Sequence, residues 1–137
     1  METHYEGCCR KELEDDEVAV YSYRGDDWGL PEEERARLRE AEGVFTILKS
    51  ALEEPEVRVE RGRLSRHRRG TVERRVPHLP DIDSHLADGG VTIDTPCGVD
   101  ELSILGGGRA VVAWGLIARI FMLYMQRGAL PEEDAFV

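Results

Sequence analysis

The sequence predicts an α+β domain: a small antiparallel sheet that includes a long Arg-rich hairpin, packed against two main helices, the C-terminal one largely buried. Three observations carry this reading. β-prone runs bounded by turn residues recur at 18–23, 57–61, 71–76 and 91–93. Apolar residues at 3-4-3-4 spacing, Leu38, Ala41, Phe45, Leu48 and Leu52, mark a helical stripe. A nearly unbroken apolar run fills 109–126 and ends in Arg127-Gly128, the order of a helix C-terminus. The 137 residues, with 34 % charged and 41 % hydrophobic, suffice for one independently folding domain and argue against wholesale disorder.

Taken in order, residues 1–17 end in Glu12-Leu13-Glu14-Asp15-Asp16-Glu17, where like charges repel and little apolar surface is available. They predict a flexible acidic N-terminal arm, which leaves 18–137 as the domain. Val18-Ala19-Val20-Tyr21-Ser22-Tyr23 predicts a strand with Val18 and Val20 on one face and Tyr21 and Tyr23 on the other, and Gly25-Asp26-Asp27 a turn. Leu30-Pro31-Glu32-Glu33-Glu34 has the proline and carboxylates of a helix start, so a helix is expected over 31–52, stopped by Glu53-Glu54-Pro55.

Two strands flanking Gly62 and Gly70 predict a hairpin arm over 57–76, its tip reaching into solvent. A loop is expected from Pro77 to Gly90, a strand at 91–93, and a short helix from Thr95-Pro96 to Leu105. Residues 109–127 form the expected central helix, with Trp114, Ile117, Phe121 and Met125 as its core or dimer face, facing Val44, Phe45 and Leu48. Ala110 to Met125 is too short for the roughly 20 apolar residues of a membrane span and contains Arg119, so no membrane crossing is expected. A short tail, 129–137, closes the chain; Leu130-Pro131-Glu132-Glu133 repeats the earlier helix-start signal.

Charge is the strongest functional signal. Arg58, Arg61, Arg63, Arg66, Arg68, Arg69, Arg74 and Arg75 lie within 18 residues that hold only Glu60 and Glu73 as acids, while the whole chain is at −10. Guanidinium groups on an exposed arm fit either an acidic patch on a protein partner or a phosphate backbone. The acidic remainder, with Glu14, Asp15, Asp16, Glu17, Asp26, Asp27, Glu32, Glu33 and Glu34 as its densest part, can imitate a nucleic-acid backbone toward a basic groove. The expected function is therefore non-enzymatic binding: a small acidic inhibitor or adaptor, of the phage or mobile-element anti-defence type, acting on a nucleic-acid-handling protein. The alternative is direct nucleic-acid binding through the arm, against which stands the absence of Phe, Tyr and Trp from 58–75.

Other chemistry is thin. His78, Asp81, Asp83 and His85 are residue types that bind Zn²⁺, Mn²⁺ or Fe²⁺, but their spacing matches no familiar metal site; a metal-dependent enzyme at 78–85 is the distant alternative. Gly106-Gly107-Gly108 lacks the Lys-Ser/Thr of a phosphate-binding loop, and no catalytic residue or cofactor is expected. An odd count of three cysteines, with Cys8-Cys9 in the acidic arm and Cys97 as a small buried thiol, gives no disulfide framework and fits a reducing cytoplasm. The first residues carry no leader pattern, so secretion by that route is not expected. A homodimer formed over the central helix is a further expectation.

Overall fold

The computed structural model describes residues 5–27, 31–33, 35–36, 42–65, 68–94 and 109–136. The class is the predicted one, α+β with antiparallel strands. Five strands, β1 (Tyr5–Glu14), β2 (Val18–Asp27), β3 (Gly43–Leu48), β6 (Val91–Asp94) and β7 (Glu133–Phe136), form one sheet in the order β6-β3-β2-β1-β7. Strands β4 (Glu56–Ser65) and β5 (Arg68–Val76) pair only with each other, as a separate two-stranded ribbon. The two α-helices described from end to end are α1 (Ile82–Asp88) and α2 (Arg109–Arg127).

Alternation decides which side of the sheet is buried. Cys9, Ala19, Tyr21, Tyr23, Phe45, Ile47 and Val91 fall on one face and are all buried. Tyr21 stands directly opposite Phe45 in the ladder, and their rings stack with centroids 5.3 Å apart. Helix α2 lies on this face with Val112, Leu116, Ile117, Ile120, Phe121 and Met125, each at most 1 % exposed. Gly7 and Gly25 are cross-strand partners beneath Val112, and a Cβ at either would come within 2.7 Å of the Val112 side chain. Only glycine lets the helix approach this closely.

Several expectations are corrected. The flexible acidic arm is instead β1, an interior strand paired with β2 on one side and β7 on the other. Alternation puts Glu6, Arg10 and Glu12 on the outer face while Gly7 and Cys9 turn inward; Lys11 also falls on the inner side, opposite Tyr21, where Glu14 and Glu132 pair with its ammonium, so a charged segment still supplies core. Asp26 and Asp27 extend β2 and do not turn it. Among the described residues of the expected helix over 31–52, those at 32–33 and 35–36 are helical and Lys49–Ala51 make a 3-10 turn, but residues 43–48 are β3, where the β-branched and aromatic Val44, Phe45, Thr46 and Ile47 follow strand alternation. Val44 and Leu48 therefore point outward at 36 % exposure each, and of the three expected core partners only Phe45 is buried.

Between Pro77 and Gly90 the chain forms α1, N-capped by the Asp81 side chain and ended by Gly89 at φ 84°. The second Leu-Pro-Glu-Glu signal starts no helix: the Tyr21 hydroxyl donates to the Pro131 carbonyl at 2.7 Å, and the tail pairs with β1 as β7. The Arg119 guanidinium grips both Asp134 carboxylate oxygens, at 2.7 and 3.0 Å, and ties β7 to α2. Helix α2 keeps its predicted bounds, and no helix among the described residues is long and apolar enough to cross a membrane. The expected helix from Thr95 to Leu105, with Cys97, lies outside the described residues.

The predicted face of α2 divides. Ile117, Phe121 and Met125 are core within the chain, so they are not available to a dimer mate, whereas Trp114, one turn nearer the helix start on the same stripe, is 37 % exposed. Phe121→Ala should cost about 3–5 kcal/mol and leave little folded protein, because the ring is fully enclosed. Trp114→Ala should cost less, about 1–3 kcal/mol, because over a third of its surface is already in water. Paired thermal melts check the contrast; equal losses would contradict the burial of α2.

Candidate functional site

The ribbon is the part of the molecule that the core does not explain. Residues 56–61 and 71–75 are exposed throughout, on both faces of the strands. Val57, Val59 and Val72 are 55, 62 and 43 % exposed, although β-branched apolar side chains in a sheet normally pack against something. The ribbon joins the body at its base. There Arg75 donates from Nε to the Met125 carbonyl at 2.8 Å, satisfying an acceptor in the last turn of α2.

A second staple closes the same base. Glu53, just before β4, accepts from the Nε2 atoms of His78 and His85 at 2.8 Å each and from the Asp81 backbone N–H at 2.9 Å. The His85 ring lies 5.4 Å from that of Phe121, which joins this cluster to the core. Burial alone would raise the Glu53 carboxyl, but the hydrogen bonds from His78, His85 and Asp81 hold it below the ordinary 4.5. Sequence reading missed Glu53, since Glu-Glu-Pro read only as a helix stop.

The four weak metal candidates have separate engagements in the structure. His78 and His85 are turned to Glu53, Asp81 caps α1 through Ser84, and Asp83 is exposed. No group of three or more His, Cys, Asp or Glu residues suited to a metal ion occurs among the described residues.

The arginines fall into distinct classes. Arg75 anchors the ribbon through its Nε bond to the Met125 carbonyl. Arg58 pairs with Glu56 at 3.2 Å, and Arg74 reaches Glu60 only at 3.9 Å; both guanidiniums are more than half exposed. Such pairs are solvent-screened and leave the charges available. Arg61 is exposed on β4. Arg63, Arg68 and Arg69 are placed by their strand backbone, and Arg66 lies outside the described residues. In the ladder Arg58 stands opposite Arg74, and Arg63 opposite Arg69, both like-charge pairs.

The acidic set is more committed than expected. Glu14 binds both Lys11 and Lys49, at 2.5 and 2.9 Å. Asp15 folds the β1–β2 turn by accepting from the backbone N–H groups of Glu17 and Val18. Asp26 is buried and takes a two-pronged bond from Arg35, which also reaches Glu32 at 3.4 Å. Asp16, Glu17 and Glu33 are exposed; the Asp27 side chain and Glu34 lie outside the described residues. The residues predicted as a row of free carboxylates therefore include several that are internal hydrogen-bond acceptors.

The outer face of the sheet carries a cleft of about 740 Å³ lined by Cys8, Arg10, Ser22, Arg24, Glu42 and Asp134, among others. Its two guanidiniums are matched by neighbours, Arg10 by Glu12 at 3.3 Å and Arg24 by Glu42 at 3.4 Å. The cysteine pair is in β1, not in a mobile arm. Burial pushes the Cys9 thiol up to about 12, so it behaves as a core residue, while Cys8 is exposed. No family model, curated protein or solved structure matches the chain, so the site is read on its own geometry.

Glu53→Ala should destabilise the protein by about 1–2 kcal/mol at neutral pH, since His78, His85 and the Asp81 N–H lose one common acceptor that is partly exposed. The sign with pH follows from the lowered carboxyl. Its contribution is complete above the ordinary 4.5 and is lost as pH falls through the folded-state value. Melting temperatures of wild type and variant should thus converge as pH falls through that lowered value; a gap that widens on acidification would contradict the assignment.

Proposed function

We propose that this chain is a non-enzymatic binding protein whose working element is the Arg-rich ribbon, engaging an anionic partner. The observation that carries this reading is the distribution of charge along the ribbon. Its acids, Glu56, Glu60 and Glu73, all belong to the half nearest the body, and the stretch from Arg61 to Val72 holds five arginines and no acid. A cationic end on an exposed two-stranded arm contributes little to folding, because exposed charges add little stability. It supplies instead a steering field and a set of guanidinium forks for a dense row of negative charge.

Such a protein acts by occupancy, as a small inhibitor or adaptor of nucleic-acid-handling machinery. The arm takes the partner, and the strongly acidic body discourages non-specific contact with other polyanions. The internal engagement of Glu14, Asp15 and Asp26 supports the arm over the acidic face as the active surface.

Immobilised heparin, a dense polyanion, tests the reading against the chain's net −10. Wild type should be retained at low salt and released as salt rises, whereas a variant with Arg61, Arg63, Arg68 and Arg69 all changed to Ala should pass through unretained. The variant's melting temperature should stay within about 2 °C of wild type, as expected for exposed charges. A wild type that is not retained, or a variant that unfolds, would overturn the proposal.

A further inference from the structure

We infer that β4 is the contact surface for a second copy of this chain, the two β4 strands pairing antiparallel about a two-fold axis at Val59 to make an intermolecular sheet in the order β5-β4-β4-β5. This surface is not the central helix expected of a dimer, and it stands apart from what the arginines of the ribbon bind. Among the described residues β4 pairs with β5 alone, and β5 is the strand whose Arg75 is held to the Met125 carbonyl of α2. The other edge of β4 turns every second backbone N–H and C=O outward, the groups that an added strand takes up.

Edge strands that must stay single are blunted by lysine, proline or bulges. Residues 56–62 contain no lysine and no proline, and their register with β5 runs without a shift. Charge then selects both the mate and the register. Along the strand the order is Glu56-Val57-Arg58-Val59-Glu60-Arg61-Gly62, and a two-fold antiparallel pair has one rung where a residue faces its own copy. At Val59 that rung is valine on valine, and the rung on either side sets Arg58 against Glu60 of the second copy. Centring on Arg58, Glu60 or Arg61 sets like charges directly opposite, and centring on Val57 brings Pro55, which has no N–H, against Val59. A parallel pair in register would set every charge against its like.

The ribbon's own side chains are left to be completed in this way. Arg58 stands opposite Arg74, a like-charge rung that is unfavourable within one chain. Its pair with Glu56 and the 3.9 Å approach of Glu60 to Arg74 leave the Arg58 and Glu60 side chains 56 and 51 % exposed, so each can take a second partner of opposite sign. On the other face, alternation brings Val57 and Val59 of both copies together at the axis, where they leave the water that now covers more than half of each. Pairing over 56–62 makes a small interface, so association in the micromolar range or weaker is expected.

Sedimentation equilibrium of the full chain, from micromolar to millimolar concentration, tests the inference. Wild type should move from the 15.5 kDa of one chain toward twice that mass. Arg58→Glu and Glu60→Arg should each weaken dimerisation at least about tenfold, because each sets like charges on both rungs beside Val59. Mixed in equal amounts, the two variants should recover the dimer, now between unlike copies, since both rungs are again opposite in sign. Both variants change exposed side chains and should melt within about 2 °C of wild type. A wild type that keeps a single chain's mass at millimolar concentration would overturn the proposal, and variants that each dimerise like wild type would place the contact elsewhere and overturn it too. Variants that lose the dimer and do not pair with each other would overturn the register at Val59, and loss of fold in either would overturn the reading of this edge as free.

Discussion

The structure depends on one close approach, that of helix α2 to the paired glycines Gly7 and Gly25. With no Cβ on either, Val112 rests on the sheet itself, and the whole buried side of the helix, from Val112 to Met125, comes down on Tyr21, Tyr23, Phe45 and Ile47. Among the described residues one helix does most of the covering, with α1 contributing Ile82 at the margin. A sheet of five strands needs at least one apolar face closed to be stable, and this contact closes it. Anything that lifted α2 by an ångström would open the core along its length, since packed interiors tolerate little change in volume.

The same helix fixes the ribbon. Its C-terminal turn offers the Met125 carbonyl to Arg75, and Phe121 lies against His85, which shares Glu53 with His78. A two-stranded hairpin is only marginally stable alone, so its direction has to be set where it leaves the body. Two anchors, one at each strand's root, hold the base. Rigid placement of a solvent-exposed element is a common arrangement for binding, because the scaffold bears the stability and the arm bears the contact.

The fold class, strand β2, the hairpin, strand β6 and the bounds of α2 were legible in the sequence because each is encoded locally. Val18-Ala19-Val20-Tyr21 and the valines of the hairpin favour extended chain, and the apolar run before Arg127-Gly128 has one helical solution. What could not be read was decided at long range. The charges of Glu12 to Glu17 suggested a free arm, yet inward-facing Gly7 and Cys9 suffice to make β1 interior once β2 and β7 flank it. Leu38 to Leu52 offered a helical stripe, and the strand alternation of Val44 to Leu48 prevailed there because β2 and β6 supplied partners. At the site, the arginine block was plain from composition. Its division into an anchor, Arg75, and an acid-free outer half needed the ladder register, and the role of Glu53 as acceptor for two histidines needed the fold.

Hydrogen exchange probes the central claim most directly, since that claim is a stable body carrying a separately engaged arm. In the free protein, amides of β2, β3 and α2 should be the most protected, and those of 61–71 should exchange far faster. Adding heparin should slow exchange in the outer ribbon while leaving the strands of the sheet unchanged. Protection that appears on the sheet and not on the ribbon, or a free ribbon already as protected as α2, would contradict the account.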